Sequence, residues 1–278
     1  MVRVGCVSFL NAKPLIDGVA VAAEIPGGTP GATPGAAGVP VTYAVPAKLL
    51  GLLESGEVDI ALCPTIDYHR AAMPLVIVPV GGIVSDGPTF TVRLYSRVPI
   101  ERITTVHADT DSHTSVALLR VLLDEVYGLR PALVDYAAGT QPPPEAMLLI
   151  GDKVVTQSPR AVEYPHQMDL GEAWKRQTGL PFVFATWMAR EGAALGDVPA
   201  RLEAARVRNA ARVGEIAERY AGPHGWPLEL ARDYLGRILG YTIGPRELEA
   251  MARFGEKAAA LGAIGRAWPL QLSNDVSV

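Results

Sequence analysis

Residues 103–127 read ITTVHADTDSHTSVALLRVLLDEVY, and the order of residue types in that stretch decides the fold class. Positions 103–108 are short and rich in β-branched residues, as a strand requires. Asp109-Thr110-Asp111-Ser112-His113-Thr114-Ser115 follows, dense in side chains that cap a helix by accepting from its unpaired N–H groups. Over 116–127, Val116, Leu119, Leu123 and Val126 then share one helical face, with Arg120, Asp124 and Glu125 elsewhere. A strand therefore feeds a helix through a polar junction. The pattern recurs on both sides. Residues 2–9 lead through Asn11 to Pro14 at a first helical turn, and Pro46 starts a helix over 47–55 that Gly56 stops before a strand at 58–62. Further strands are predicted at 75–80, 89–95, 146–150 and 182–188, with 81–88 as a turn. From Pro199 onward the pattern is helical, over 199–220, 227–239 and 245–261.

Strands alternating with helices imply an α/β fold whose sheets are mostly parallel and covered on both faces. Two βα halves and a helical tail that returns to the first half imply two lobes around a cleft. The first lobe is expected to comprise residues 1–88 and 189–278 and the second 89–188. Open sheets of this kind bind ligands beyond the carboxyl ends of their strands.

Composition narrows the function classes. Of 278 residues, 49% are hydrophobic and 19% charged, the balance of a chain with a large buried core. A formal net charge of −4 offers no positive field for a phosphate backbone, so no nucleic-acid partner is expected. Cys6 and Cys63 sit in apolar runs and read as core. They form no CxxC, and the histidines form no HExxH, so neither a metal nor another cofactor is expected. Over 25–40, nine of sixteen residues are Gly or Pro, which reads as a surface loop. No apolar stretch approaches the roughly 20 residues of a membrane span, and the amino terminus lacks an apolar signal region, which makes the cytoplasm the expected location.

Polar side chains gather where the predicted strands end: Ser8 and Asn11, Thr65, Ser85, the run Thr110, Ser112, His113, Thr114 and Ser115, and Asp152. Any one of them is adequately explained as a helix cap or turn residue. Their convergence on one crevice is what points to a ligand. The 112–115 segment opens a helix, whose unpaired N–H groups and dipole favour an anion, and a small carboxylate is the natural guest. His113 stands at the mouth of that helix, placed to donate a hydrogen bond or a proton. Asp86 reads as a turn residue before Gly87-Pro88, and Asp152 as a cap or a partner for Lys153.

The segment Ser8-Phe9-Leu10-Asn11-Ala12-Lys13-Pro14-Leu15 resembles the amino-terminal signature of the chorismate dehydratase family, which acts in the futalosine route to menaquinone. Similar blocks run over 59–68, 85–88, 109–119, 147–153, 169–174 and 179–185, so the resemblance spans most of the chain. It implies a two-lobed type II periplasmic-binding-protein-like fold and a lyase that dehydrates chorismate to 3-[(1-carboxyvinyl)oxy]benzoate. It also implies Asn11 as the catalytic residue; the polar residues at the strand ends, Ser8, Thr65, Ser85, Thr110, Ser112, His113, Thr114, Ser115 and Asp152, are then read as substrate-binding, and, with no protein base evident, the substrate's own enolpyruvyl carboxylate is the expected base. The chain departs from the family pattern in the 25–40 insertion, in Cys63 where Val is commoner, and in His113 where Arg is expected. Two other readings stand beside this one: the sibling enzyme that forms 1,4-dihydroxy-6-naphthoate, and a non-catalytic binding protein for a small acid. The helical tail either packs on the first lobe or forms an interface, which leaves a homodimer open.

Overall fold

A computed structural model describes residues 1–19, 38–140 and 142–273. The Gly/Pro-rich stretch lies, up to residue 37, outside the described residues. The strands are β1 (Val4–Val7), β2 (Val41–Ala44), β3 (Ile60–Pro64), β4 (Leu75–Ser85), β5 (Val92–Ser96), β6 (Thr105–Ala108), β7 (Ala132–Asp135), β8 (Ala146–Ile150), β9 (His166–Asp169), β10 (Phe182–Arg190) and β11 (Leu239–Gly240). The α-helices are α1 (Lys13–Ile16), α2 (Pro46–Glu54), α3 (His113–Tyr127), α4 (Lys153–Thr156), α5 (Leu170–Thr178), α6 (Val198–Ala210), α7 (Val213–Tyr220), α8 (Leu228–Asp233) and α9 (Pro245–Ala260). They build two sheets, ordered β11-β4-β10-β3-β1-β2 and β7-β6-β8-β5-β9.

Each sheet is mixed, where the sequence pattern predicts mostly parallel pairing. β1 pairs β2 and β3 in parallel, and β6 pairs β7 and β8 in parallel. The strands beside the two chain crossings run against their neighbours: β4 and β10 in the first sheet, β5 in the second. A crossover helix keeps strands parallel, whereas a strand that leaves one sheet for the other enters reversed. Because β10 lies in the first sheet, the return crossing comes before Phe182, earlier than the expected boundary at 188.

β4 also differs from expectation, continuing as one strand through Gly81-Gly82, where its pairing with β10 shifts register, instead of ending in a turn there. Those glycines serve close packing. A Cβ on Gly82 would lie 2.6 Å from the Ala185 carbonyl oxygen, and one on Gly81 2.8 Å from Leu15. Helix α3 starts as the sequence predicts, with Ser112 Oγ accepting from Ser115 N–H at 3.3 Å and Gly128 closing it in the left-handed region. Its buried face is wider than predicted, with Leu118, Val121 and Leu122 also covered and Val126 left 45% exposed. The helix packs on its own sheet's α5 and also on the 3-10 turn Thr65–His69 and α9 of the first lobe, so it needs two apolar faces.

The tail is sewn to the first lobe by polar groups. Asn209 on α6, fully buried, donates to the carbonyls of Pro14 and Asp17 at 3.1 and 2.9 Å, and Tyr220 on α7 donates to Asp17 Oδ1 at 2.7 Å. Lys13 lies between the rings of Tyr43 and Tyr220, and burial lowers its pKa.

Asp169 holds the two crossings together. Its carboxylate accepts from Thr89 N–H at 2.9 Å and Phe90 N–H at 2.7 Å on the outgoing crossing, and from Glu172 N–H at 3.0 Å as the cap of α5 on the return. Phe90 adopts φ 67°, a conformation costly for a bulky residue and sustained here by that bond. Asp169→Ala leaves three N–H groups without their acceptor and should lower unfolding stability by about 3 kcal/mol, read as a reduced urea midpoint. An unchanged midpoint would show the crossings to be held by something else.

Candidate active site

The two sheets meet at a cleft of about 430 Å³, its open mouth included. Asn11 enters it from the 3-10 turn Leu10–Ala12 that follows β1, Ser112 and Ser115 from the first turn of α3, and Thr89 and Thr91 from the outgoing crossing. Tyr234 closes one side, and Val7, Phe9, Ile83, Ile150 and Phe184 supply apolar wall. Among the described residues, its lining includes no Asp, Glu, His, Lys or Arg.

Phe9 and Gly151 show how closely the lobes approach. Gly151 ends β8 with φ 58°, and a Cβ there would lie 2.7 Å from the Phe9 ring, so both conformation and space demand glycine.

Of the residues expected at the ligand, Asn11, Ser112 and Ser115 meet in the cleft. The remaining ones take other work. Thr65 donates its hydroxyl to the Val183 carbonyl at 2.7 Å. Thr114 Oγ1 accepts from Ile66 N–H at 3.0 Å, a bond from one lobe to the other. Ser85 is fully buried, its Oγ has no partner, and it lies against Gly171 instead of the cleft. Ser8 is half-buried and not part of the cleft lining, and Thr110 is exposed. His113 places Nδ1 2.8 Å from Asp67 Oδ1, and Asp67, which burial pushes above the usual carboxylate range against the pull of His113, is fully buried beneath it. His113 is thus a link between lobes, outside the cleft lining. Asp86 sits on the exterior beside Lys175 and Arg246, and its hydrogen bond to Lys175 holds its pKa low.

Asp152 does not pair with Lys153, which instead binds Asp109 and Asp111 at 2.8 and 2.7 Å. Burial opposes the Lys153 ammonium, but the two carboxylates outweigh it and raise its pKa. Asp152 reaches across to the tail: His224 Nδ1 stands 2.7 Å from Oδ2, and Trp226 donates its indole N–H to Oδ1 at 2.8 Å. Trp226 in turn stacks on Tyr234, ring centroids 4.7 Å apart and planes 22° from parallel. Neither His224, Trp226 nor Tyr234 was legible as a site residue, because they come from the tail and no local motif surrounds them. Thr89 and Thr91 were not legible either, because they flank Phe90 in a tight turn, with Thr91 N–H donating to the Thr89 carbonyl at 2.8 Å, instead of lying in the predicted strand.

Two sheets joined by paired crossings with a cleft between them define a binding-protein architecture, and solved structures share it. A protein from Archaeoglobus fulgidus is similar with a TM-score of 0.69 at 16% identity, covering 95% of this chain and 98% of that one. The periplasmic aliphatic sulphonate binding protein of Escherichia coli is similar with a TM-score of 0.60 at 16% identity, covering 94% and 91%. A Candida albicans protein described as having the generic periplasmic binding protein fold gives 0.61 at 11%, covering 100% and 99%. The fold is accordingly the two-lobe α/β fold of periplasmic binding proteins. Sequence goes further: the family described as menaquinone biosynthesis matches residues 2–260, and the chain belongs to it. A chorismate dehydratase from Thermus thermophilus is 32% identical over 240 residues, 80% of this chain and 86% of that relative.

The Asp152 cluster ties a second-lobe carboxylate to two first-lobe side chains, so it holds the lobes closed. Asp152→Ala should give a larger radius of gyration than the parent by small-angle X-ray scattering without ligand. Equal radii would show that the cluster does not govern closure.

Proposed function

We propose that this protein removes water from chorismate to give 3-[(1-carboxyvinyl)oxy]benzoate. The observation that carries the reading is Asn11, a residue of the signature segment whose amide lines the cleft and whose Oδ1 has no partner within the protein. Beside it stand the hydroxyls of Thr89, Thr91, Ser112 and Ser115 and the amino-terminal turn of a 15-residue helix, donors suited to carboxylates. The 32% identity to a chorismate dehydratase supports the same substrate.

In this reading the first turn of α3 and the nearby hydroxyls grip the carboxylates, and Asn11 holds the ring at the reacting centre. One ring C–H gives up its proton, its electron pair forms the new double bond, and the hydroxyl leaves with a proton as water. Aromatisation drives the loss. Among the described residues the cleft lining has no carboxylate, imidazole or amine, which supports the substrate's own enolpyruvyl carboxylate as the acceptor of that proton. The protein contributes orientation and a site closed to bulk water.

Purified protein mixed with chorismate should produce an aromatic chromophore in the ultraviolet, and Asn11→Ala should lower kcat by roughly 100-fold or more. Absence of any spectral change would overturn the assignment. Calorimetric binding of chorismate without turnover would favour a non-catalytic acid binder, the function class of the sulphonate-binding neighbour.

A further inference from the structure

Residues 268–273 return along the first lobe as a strap without a helix or strand of their own. They lie beside the part of β4 that β11 leaves unpaired. Ile77 N–H donates to the Gln271 carbonyl and Ser273 N–H to the Ile77 carbonyl, both at 2.8 Å. The second anchor is the 3-10 turn Thr65–His69. Tyr68 donates its hydroxyl to the Pro269 carbonyl and accepts from Gln271 N–H, each at 2.9 Å, and His69 Nδ1 accepts from Trp268 N–H at 3.1 Å. The same turn meets the second lobe, through Ile66 N–H to Thr114 Oγ1 and through Asp67 to His113. One five-residue turn thus carries both the strap and a contact between lobes.

The bond to Trp268 fixes the charge of His69. An imidazole whose Nδ1 accepts is neutral, with its proton on Nε2. Nε2 is buried without a partner and lies against α9, where a Cβ on Gly255 would collide with it. A second proton, on Nδ1, would remove the acceptor of the Trp268 N–H and leave a buried cation. The charged groups on the elements around the ring make no bond to it. Asp67 is engaged by His113 and Arg70, Lys257 on α9 pairs with Glu125, Arg266 stands over the Trp268 ring, and Glu256 beside Gly255 is exposed. Burial lowers the His69 pKa from 6.5 to about 4.

We propose that residues 268–273 form an acid-sensitive strap: Tyr68 and a neutral His69 hold it down, and the strap in turn braces the turn that contacts the second lobe. The released ring regains its ordinary affinity for a proton, so acid favours the open strap. The strap is at full strength above about pH 6.5 and weakens as the pH falls towards 4. Between about pH 7.5 and about pH 5 its opening equilibrium should rise roughly 30-fold.

The test is amide hydrogen exchange of the full chain at those two pH values, corrected for intrinsic exchange. Protection of the Trp268, Gln271 and Ser273 amides should fall roughly 30-fold at the lower pH, while the interior of α3 keeps its protection. Unchanged strap amides, or an equal fall in α3, would overturn the proposal. In His69→Asn the amide oxygen accepts the same N–H and takes up no proton in this range, so strap protection should be flat with pH. A fall as large as the parent's would assign the sensitivity to another group and overturn it too. Tyr68→Phe removes both hydroxyl bonds and should lower the protection of Gln271 already at the higher pH, with that of Ile66 falling alongside. An Ile66 amide that stays fully protected while the strap opens would show that the strap does not brace the contact between lobes.

Discussion

The Asp169 carboxylate is the constraint on which the cleft depends. Two polypeptide crossings join the sheets, and each could slide against the other if only their ends were fixed. Asp169 accepts from N–H groups on both, binding Thr89 and Phe90 on one and capping α5 on the other. From that pinned segment Thr89 and Thr91 project into the cleft and Phe90 packs towards Trp226 and Tyr234. The close passage of Gly171, where a Cβ would lie 2.7 Å from the Gly87 carbonyl oxygen, serves the same end. A carboxylate that is 6% exposed and fully engaged thus converts a flexible pair of linkers into one wall of a binding site.

The architecture was legible because its units are local. The strand–junction–helix order at 103–127 is written in β-branched residues, cap side chains and helical spacing, and α3 and its Ser112 cap appear where those signals place them. Antiparallel pairing of β10 was not legible, since a buried run of the type Phe182-Val183-Phe184-Ala185 fits either direction. Gly81 and Gly82 misled for a related reason. Glycine that marks a turn and glycine that admits a neighbouring backbone look alike in sequence, and only the packed partner tells them apart.

The site was legible in part. Asn11, Ser112 and Ser115 belong to junctions at strand ends, and strand ends converge on the cleft. Thr65, Thr114 and His113 sit at equally good junctions, yet Thr65 spends its hydroxyl on the Val183 carbonyl within the first sheet, and Thr114 and His113 spend their hydrogen bonds on the contact between lobes. Residue type and position along an element cannot separate these two uses, because the lobe closing over the cleft supplies competing partners. The tail residues His224, Trp226 and Tyr234 were invisible for the opposite reason: their role arises from a contact with Asp152 some seventy residues earlier in the chain.

The distribution of charge around the cleft then explains why closure matters. Asp67, Asp109 and Asp152 lie outside the cleft lining, and each is engaged by a histidine, a lysine or an indole N–H. The lining itself is neutral among the described residues. A doubly charged guest of the kind proposed would meet no fixed counter-ion inside and would depend on oriented dipoles: the hydroxyls, the amide of Asn11 and the first turn of α3. Such dipoles are weak in water and strong where water is excluded, because the local dielectric falls. Contact between the lobes excludes water from the site, and the Asp67, Asp109 and Asp152 carboxylates are engaged by partners outside the lining. Under the reaction proposed above, a neutral interior has a second effect: among the described residues the lining offers no carboxylate, imidazole or amine to compete as base with a carboxylate the guest would carry.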